Sequence, residues 1–478
     1  MNRKLVIGMV IVAMVFAVGI IGVIIDLSNR PLSTIDRNID PDMILPLPIP
    51  MFLQDENPDP DVSDYYLTVQ QGTSSFFNGL TTTTKGYNGS YLGPVIKVKR
   101  GQDVNMHVKN DLDEATSVHW HGLEVPGTED GGPHQVISPG SWWNPSFTID
   151  QPASTLWFHP HVIGTTATQV YEGLAGLIII EDENSAALNL PNDYGVNDIP
   201  LIIQDRSFDR NGEFVYFDNM MDGALGDYII VNGAITPYLE VKQVNMRFRI
   251  LNGANARNFN LSLSDSNQFY QIASDGGLLE RPHQTQTVFL SPGERAEIVV
   301  DFSVYQEGDT VQLKHNNSVV LTFRIQEESD DLTTIPDRLA VIDRIDESLA
   351  TGIKTIELDG MGHMVTLNGR QFDINRIDDN VALGDIEIWE ITSRRFMMMR
   401  SSGHPFHIHG TQFQILSRNN KTPEAYEMGW KDTVFINAGE TVRIIVEFKY
   451  EGIYMYHCHI LEHEEAGMMG QLEVYVKD

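Results

Sequence analysis

The sequence predicts an all-β protein of three tandem units, preceded by an N-terminal transmembrane helix. Short runs of Val, Ile, Phe and Thr alternate with Gly, Asn and Pro turns along most of the chain. A turn tripeptide recurs at intervals of 153 and 146 residues, which indicates an internal repeat. The length of 478 residues also fits three domains at about 150 residues each.

The N-terminal helix is predicted from an uncharged, mostly apolar run, Leu5 to Ile25, that follows Arg3 and Lys4. At about 1.5 Å per helical residue this run can cross a bilayer, with the basic flank inside. Residues 1–28 are interpreted as a signal-anchor or a cleaved signal segment, and the length of the run favours the anchor. We therefore expect the protein at the extracytoplasmic face of the cell membrane, or secreted if the segment is cleaved.

The rest of the chain divides by composition and repeat. Residues 29–64 are rich in Pro and Asp and predict an extended, poorly packed spacer. Strand-like runs follow, for example at 243–251, 297–302 and 441–448. An acidic stretch at 327–347 predicts a linker between the second and third units. The recurring turn is Ser138-Pro139-Gly140, Ser291-Pro292-Gly293 and Asn437-Ala438-Gly439, and it places the three units at 65–185, 198–328 and 352–478.

Charge and cysteine content exclude some classes of protein. The chain has 33 Lys and Arg against 65 Asp and Glu, a formal net charge of −32. Such a field repels polyanions, so nucleic acid is not an expected partner. The single cysteine, Cys458, cannot form an intrachain disulfide, and its distance from the N-terminus excludes a lipoprotein. We therefore expect a chemical role for this thiol.

Ten of the fifteen histidines fall into four short clusters, each of which contains His-x-His. Residues i and i+2 of a strand lie on one face, so each pair presents two imidazoles to one spot. Eight imidazoles suit copper and exceed the needs of one ion, which predicts a copper cluster. The pairs belong to the first and third units, so we expect the cluster between these units, with the second as spacer or scaffold. The pairs are His119 and His121, His159 and His161, His407 and His409, and His457 and His459.

A second metal site is predicted around Cys458. Strand alternation turns Cys458 away from His457 and His459, its covalent neighbours. His463 and Met468 follow at steps of five, and His404 supplies the remaining nitrogen. Two histidines, one thiolate and a weak axial methionine form a blue-copper arrangement, which suits one-electron transfer. The backbone at Cys458 then gives an electron a through-bond route to the cluster.

These motifs together resemble those of the multicopper oxidases, in particular the bacterial three-domain laccases and the periplasmic copper-efflux oxidase. The resemblance covers about residues 65–476 and implies three cupredoxin-like Greek-key β-sandwiches with four copper ions: type 1, type 2 and binuclear type 3. It rests on His-Trp-His-Gly at 119–122, Trp-Phe-His-Pro-His at 157–161, His-Pro-Phe-His-Ile-His-Gly at 404–410, the His-Cys-His motif at 457–468, and shorter segments at 130–133, 173–176, 273–278 and 429–433.

The resemblance also implies a role for each motif residue. Four one-electron oxidations at the type 1 copper would reduce one O₂ to two waters at the other three ions. Asp130 and Glu464 match family carboxylates that assist proton delivery. The type 1 ligands would be His404, Cys458, His463 and Met468, the type 2 ligands His119 and His407, and the type 3 ligands His121, His159, His161, His409, His457 and His459.

The substrate is predicted from what precedes His404. Oxidases of the copper-efflux type carry a Met-rich insert. They also have an Asp four residues and a Met two residues before this histidine. In this sequence those two positions are Arg400 and Ser402, and there is no long Met-rich insert. This favours laccase-like oxidation of phenols or aromatic amines. The ectodomain is expected to be monomeric. The alternative is a metallo-oxidase of Cu(I), Fe(II) or Mn(II), with soft ligands from Met361, Met364 and 397–399. A third hypothesis is a non-catalytic envelope scaffold on the same fold, and the complete set of twelve ligands counts against it.

Overall fold

The computed structural model describes residues 43–217, 222–327, 333–360, 362–394 and 403–477. The predicted signal-anchor, residues 29–42 of the predicted spacer, Met361, and the segment 397–402 with Arg400 and Ser402 lie outside these ranges. Within them, no helix combines the length and apolar character that a bilayer crossing requires. The described chain is mostly β, which confirms the predicted all-β class.

The first unit consists of two sheets with one apolar core between them. One sheet has the order β2-β1-β4-β6 with β7 also on β4, and the other has the order β3-β9-β8-β5. Both sheets contribute buried side chains to the core, for example Leu67 and Phe158. The elements are β1 (Val62–Ser74), β2 (Thr82–Tyr87), β3 (Ile96–Lys99), β4 (Asp103–Asn110), β5 (His119–His121), β6 (Trp142–Trp143), β7 (Ser146–Thr148), β8 (Ser154–His159), α1 (Thr166–Tyr171), β9 (Gly176–Glu181) and α2 (Glu183–Ala187).

The second unit repeats this two-sheet plan with more strands in each sheet. Its sheets have the orders β12-β11-β10-β14-β19-β16-β17 and β13-β21-β20-β15-β18. Phe248 and Phe323 come from opposite sheets and meet in the core with ring centroids 5.2 Å apart. The strands are β10 (Asp198–Arg206), β11 (Tyr228–Val231), β12 (Ala234–Ile235), β13 (Tyr238–Val241), β14 (Asn245–Asn252), β15 (Phe259–Leu263), β16 (Phe269–Ser274), β17 (Gly277–Thr285), β18 (Thr287–Leu290), β19 (Arg295–Asp301), β20 (Thr310–His315) and β21 (Ser318–Ile325), with a 3₁₀ turn at Phe302–Val304.

The third unit also consists of two sheets, and here each has five strands. Their orders are β23-β22-β25-β29-β27 and β24-β31-β30-β26-β28. Cys458 and Met468 lie in the core of this unit, beside Trp389 and Phe406. The elements are β22 (Gly352–Asp359), β23 (Thr366–Leu367), β24 (Asp379–Ala382), β25 (Ile386–Ser393), β26 (His404–Ile408), β27 (Phe413–Arg418), β28 (Thr433–Ile436), β29 (Thr441–Glu447), β30 (Gly452–Cys458), α3 (Leu461–Glu465) and β31 (Met469–Tyr475), with 3₁₀ turns at Glu347–Leu349, Gly362–Met364 and Ala425–Glu427.

A repeated pairing pattern underlies the three units. In each, the first strand of one sheet pairs in parallel with a strand later in the unit: β1 with β4, β10 with β14, and β22 with β25. The second sheet repeats the device with β3 and β9, β13 and β21, and β24 and β31. The recurring turn tripeptide precedes a strand of the first sheet each time, and its glycine has φ of +73°, +83° and +82°. Only glycine adopts this left-handed conformation without strain.

The described part of the predicted spacer is packed against the units, so the expectation of a poorly packed segment is wrong for residues 43–53. Leu47 is buried in the core of the second unit and its N–H donates to Tyr238 O at 2.7 Å. Further along, Val95 N–H of the first unit donates to Met51 O at 2.8 Å. Prolines at 46, 48 and 50 fix an extended backbone. Leu47, between two of these prolines, keeps its backbone N–H and can pair with a sheet edge. The segment therefore forms a strap across the first and second units.

Candidate metal centre

Strand register places the predicted histidine pairs side by side. In the first unit β5 pairs with β8, and His119 lies opposite His159. In the third unit β26 pairs with β30, and His407 lies opposite His457. The second member of each pair follows two residues later on the same face, at or just beyond the strand end. All eight imidazoles are buried.

The structure brings these eight side chains together between the first and third units. They form three groups, and within each group the candidate ligand atoms lie within 4.8 Å of one another. Every group contains histidines of both units, so neither unit holds a complete group alone. The groups are His119, His121 and His407; His121, His159 and His459; and His161, His409 and His457.

In four of these eight histidines a backbone carbonyl fixes the outward ring nitrogen. Nδ1–H donates to a carbonyl oxygen in His119 at 3.0 Å, in His159 at 2.8 Å and in His407 at 2.8 Å. His457 donates in the same way to Cys458 O at 3.1 Å. A carbonyl oxygen can only accept, so Nδ1 carries the proton and Nε2 presents a lone pair to the interior.

Carboxylates hold two further rings in the same orientation. Asp130 Oδ2 accepts from His409 Nδ1 at 2.8 Å and lies 3.4 Å from His119 Nδ1. Glu464 lies 3.4 Å from His161 Nδ1 and 3.2 Å from His457 Nδ1. Each of these two carboxylates therefore contacts one histidine of the first unit and one of the third. Both contacts are made on the side of the ring that faces away from the interior of the cluster. Such outer partners fix the tautomer and orientation of metal-binding imidazoles.

His121 is oriented the other way round. Its Nε2 points outward, 3.0 Å from Asp432 Oδ1 and 3.1 Å from Thr433 Oγ1, and its Nδ1 faces the interior without a hydrogen-bond partner. The ring stacks on His407 at 3.6 Å between centroids and 9° between planes. His121 belongs to two of the three groups, so this orientation bears on both.

The inward nitrogens fit a cluster of metal ions. Five of the imidazoles present a buried ring nitrogen that has no hydrogen-bond partner: His119 Nε2, His121 Nδ1, His159 Nε2, His407 Nε2 and both nitrogens of His459. In the third group, His457 Nε2 lies 3.2 Å from His161 Nε2 and 3.1 Å from His409 Nε2. An unsatisfied buried polar atom costs about 1–3 kcal/mol, and converging lone pairs repel unless a cation lies between them. The donor set of neutral imidazoles suits copper.

Burial favours the neutral form of His121, His161, His457 and His459. It lowers the pKa of His121, His161 and His457 well below the ordinary value, and neighbouring imidazoles lower it further. The pKa of His459 falls to about 3, mainly through burial. Burial raises the pKa of Glu464 well above its ordinary value, helped by Glu465 and Glu462. His121, His161, His457 and His459 are therefore ready to bind a metal without first losing a proton.

The second predicted site lies within the third unit alone. Cys458 Sγ is 3.5 Å from His404 Nδ1 and 3.8 Å from His463 Nδ1, and the three form a compact buried group. Met468 is fully buried in the same core and its backbone oxygen accepts from Cys458 N–H at 3.0 Å. Burial raises the pKa of the Cys458 thiol, so a thiolate there requires a bound cation. The donor set fits one copper ion.

The second unit reaches the cluster, although its sequence predicts only a spacer or scaffold. Asp432 of the third unit receives both terminal nitrogens of Arg295 from β19, and a Cβ added at Gly293 would lie 3.0 Å from the His459 ring. Burial alone would raise the pKa of Asp432, but the guanidinium holds it below its ordinary value. The signals were present: Gly293 ends a recurring turn and Asp432 lies in the segment 429–433. Neither signal specified a contact.

A cavity of about 240 Å³ borders the third histidine group. Its lining includes His161, Thr166 and Glu464. The five remaining single histidines of the described chain lie elsewhere. His107 stacks on Tyr66, His134 bonds Gln471, His283 contacts Tyr426, His315 accepts from Asn260 N–H, and His363 lies in the 3₁₀ turn Gly362–Met364.

Sequence comparison identifies related proteins. The family profile described as multicopper oxidase matches residues 68–185 and another of that description matches residues 345–478. The chain is 43% identical over 410 residues to the multicopper oxidase mco of Staphylococcus aureus, covering 86% of this chain and 88% of that protein. It is also 35% identical over 451 residues to the cell division protein FtsP of Proteus mirabilis, covering 90% and 92%.

Solved structures show the same likeness. A laccase from Pediococcus acidilactici superposes with a TM-score of 0.89 at 40% identity, covering 94% of this chain and 97% of that one. The multicopper oxidase of Campylobacter jejuni, described as a metallo-oxidase, superposes with a TM-score of 0.80 at 28% identity, covering 93% and 99%. Relatives described as a laccase and as a metallo-oxidase therefore share this architecture.

Proposed function

Because the chain belongs to the multicopper oxidase family, with its cupredoxin-like fold, four copper ions and O₂ as electron acceptor, we propose that it oxidises phenols or aromatic amines. In this reading four one-electron oxidations of the substrate are coupled to the reduction of one O₂ to two waters.

The proposal includes an assignment of the copper ligands. His404, Cys458, His463 and Met468 hold the type 1 copper, because they are the buried thiolate group with an adjacent methionine. The unpartnered Nε2 atoms of His119 and His407 support the type 2 assignment. The two groups that remain support a binuclear type 3 site of His121, His159, His161, His409, His457 and His459.

The bound copper ions supply one-electron redox chemistry at the first site and the reduction of dioxygen at the cluster. The chain's own residues separate the two sites in space and connect them through covalent bonds. Cys458 lies in the apolar core of the third unit, and its peptide neighbours His457 and His459 belong to the cluster. The polypeptide between them excludes water and provides a short covalent path for an electron.

Asp130 and Glu464 are proposed to deliver the protons that the reaction needs. Asp130 contacts His409 and His119, and Glu464 contacts His161 and His457, so both carboxylates lie beside the cluster without pointing into it. Glu464 also lines the cavity of about 240 Å³ next to His161. Water in such a cavity would connect the carboxylate to the outside.

One sequence observation carries the choice of substrate. The positions where copper-efflux oxidases have an Asp and a Met before the type 1 histidine are Arg400 and Ser402 here, so the ligands for a substrate copper ion are missing. The likeness to the Pediococcus acidilactici laccase, at 40% identity, supports the same choice.

A specific contact favours a second candidate, oxidation of Cu(I) or another metal ion. Met364 is 81% exposed, in the 3₁₀ turn Gly362–Met364. Gln371 ties this turn to α3, because its side-chain amide donates to His363 O and to Ala466 O, each at 2.9 Å. A thioether is therefore available beside the helix that carries His463, and thioethers bind Cu(I).

Oxygen uptake separates the two candidates. Copper-loaded protein that begins near Asn29 is given a simple phenol or Cu(I) at equal concentration, and we expect rapid uptake with the phenol. Met364→Leu tests the alternative, and Met51→Leu is the matched control because Met51 is 80% exposed on the strap. Preference for Cu(I) that falls in the Met364 variant and not in the control would establish the metallo-oxidase. No uptake with any phenol would refute the laccase proposal.

We propose that residues 1–28 anchor a monomeric ectodomain at the extracytoplasmic face of the membrane. The support is the basic flank and apolar run of that segment. Recovery of the full chain in the membrane fraction, against a soluble protein from Asn29 onward, tests the anchor. The third hypothesis, a non-catalytic envelope scaffold, has its own test: purified protein that binds no copper would favour it.

A further inference from the structure

Asp432 connects the second and third units to two histidines of the cluster. Its Oδ1 lies 3.0 Å from His121 Nε2, and its backbone oxygen accepts from His407 Nδ1 at 2.8 Å. These two rings are stacked on each other. The carboxylate also accepts from Thr433 Oγ1 at 2.8 Å and from Gln412 Nε2 at 2.9 Å. A single residue therefore sets the outer contacts of both rings.

Arg295 of the second unit is the charged group that holds this carboxylate. Its Nη1 donates to Asp432 Oδ1 at 2.7 Å and its Nη2 donates to Asp432 Oδ2, a bidentate pair between two fully buried side chains. The planar fork of a guanidinium fixes both oxygens of a carboxylate, and a neutral donor fixes one.

The guanidinium is itself held by the first and second units. Its Nε donates to Thr155 O at 3.1 Å, its Nη1 to Gly293 O at 2.9 Å and its Nη2 to Asp275 O at 3.2 Å. Arg295 thus has backbone partners in two units and a carboxylate in the third. This arrangement leaves the fork little freedom to rotate.

The other nearby cation does not replace Arg295. Lys431 precedes Asp432 in the chain, but its Nζ lies 2.8 Å from Asp275 Oδ2 and 3.1 Å from Glu294 Oε1. The Lys431 charge is therefore paired with Asp275 and Glu294 of the second unit. Without Arg295, the Asp432 carboxylate would be a buried anion with only Thr433, Gln412 and His121 as partners, and such an anion is strongly destabilised.

We propose that Arg295 is a positioning residue of the cluster: through Asp432 it fixes the reversed ring of His121, so that Nδ1 faces the metal ions. The inference rests on the proposed function, because it assumes that the eight histidines hold copper. It assigns the second unit a part in the cluster and predicts that loss of Arg295 damages the cluster but spares the Cys458 site, whose ligands all belong to the third unit.

The test compares wild type with Arg295→Gln and Arg295→Lys, all copper-loaded. The readouts are copper per chain, the electron paramagnetic resonance of the cluster and the thiolate-to-copper absorption of the Cys458 site. Loss of an outer-shell partner costs about 10–100-fold in metal affinity. We expect this loss at the cluster in Arg295→Gln, a smaller loss in Arg295→Lys, which keeps the charge but not the fork, and an unchanged thiolate band in both.

Arg249→Lys is the matched control. Arg249 is a buried arginine of the same unit and forks onto Asp198 at 2.9 and 2.8 Å. Unlike Asp432, the side-chain partners of Arg249, which are Asp198, Thr155 and Glu297, contact no cluster histidine. We expect it to lower stability while both copper signals stay as in wild type. Equal losses at both sites in the Arg249 and Arg295 variants, or full cluster copper in Arg295→Gln, would overturn the proposal.

Asp432→Asn keeps the proposal testable if Arg295→Gln does not fold. If Arg295 acts through Asp432, the single variants share one cluster defect and the double variant is no worse than either. Additive losses in Arg295→Lys combined with Asp432→Asn would contradict this route. A wild-type protein that binds copper only at Cys458 would refute the proposed function itself, a result distinct from normal wild-type copper with an unaffected Arg295 variant.

Discussion

The eight-histidine cluster and the Cys458 site are adjacent in the chain but differ in construction. The cluster draws ligands from two units, and its rings are held from outside by carbonyls and by the carboxylates of Asp130, Asp432 and Glu464. The Cys458 site draws its ligands from one unit, and its sulfur lies in that unit's apolar core with Met468. The cluster depends on how separate units dock, and the Cys458 site depends on one sandwich.

This difference has an electrostatic consequence. A cluster of several cations needs compensating negative charge nearby. The buried carboxyl groups of Asp130, Asp432 and Glu464 lie beside the histidines, and bound cations would favour their ionised form. A single copper with a thiolate ligand already has its anion, so an apolar surrounding suffices, and it also limits solvent access. The two sites should therefore respond differently to the same kind of change.

The largest expected effect is the loss of copper from the Cys458 site while the eight-histidine cluster keeps its copper. Cys458→Ser removes the thiolate, so the type 1 copper and the entry of electrons are lost and reductant-driven oxygen uptake falls to background. Copper should fall from four to three per chain, because the cluster ligands are untouched. Metal analysis with oxygen uptake checks this, and loss of all copper would mean that the sites are not separable.

Acid should destabilise the copper-free protein because so many buried imidazoles are neutral. The pKa of His404 falls to about 3, chiefly through burial and then through His463, and the pKa of His459 also falls to about 3. The unfolded chain binds protons below about pH 6.5, so stability is full above that pH and declines as pH falls toward 3.

The expected loss is roughly 1.4 kcal/mol per pH unit for each such histidine. Urea unfolding of the copper-free protein between pH 7 and pH 4 measures it. A stability that is flat over this interval would contradict the neutral, buried state of these rings.

Asp130→Asn should weaken the cluster and leave the Cys458 site intact. The amide keeps an oxygen for His409 Nδ1–H but loses the charge that faces His409 and His119. We expect an activity about 10–100-fold lower, as for other outer-shell variants, with an unchanged thiolate absorption band. Glu129→Gln is the control, because this neighbouring carboxylate is half-buried and its hydrogen-bond partners are Thr128 and Ser146 rather than a cluster histidine. An equal loss in the control would assign the effect to surface charge.

The smallest effect concerns the axial ligand of the Cys458 site. Met468→Leu replaces a weak thioether with an apolar group of similar size in a fully buried position. We expect a higher reduction potential at this site with copper content unchanged, since the axial ligand tunes that potential. Redox titration of the thiolate band measures it, and an unchanged or lower potential would show that Met468 is not an axial ligand.

Much of the fold could be predicted because its signals are local. The strand-like runs at 243–251 and 441–448 correspond to β14 (Asn245–Asn252) and β29 (Thr441–Glu447). The packing of the strap at 43–53 cannot be predicted from its sequence, because a proline-rich composition is typical of a free linker. Its packing depends on the edges of β3 and β13, which the local sequence does not reveal.

The sequence by itself determined which residues could bind metal and which share a face, because strand alternation acts between residues i and i+2. Strand alternation also predicted that Cys458 faces away from His457 and His459. Only the tertiary structure decided how eight histidines divide into three groups, why His121 is reversed, and that the second unit takes part. The contact of His121 with Asp432 spans 311 residues and that of Arg295 with Asp432 spans 137. Such contacts arise from the packing of whole units, which no local pattern records.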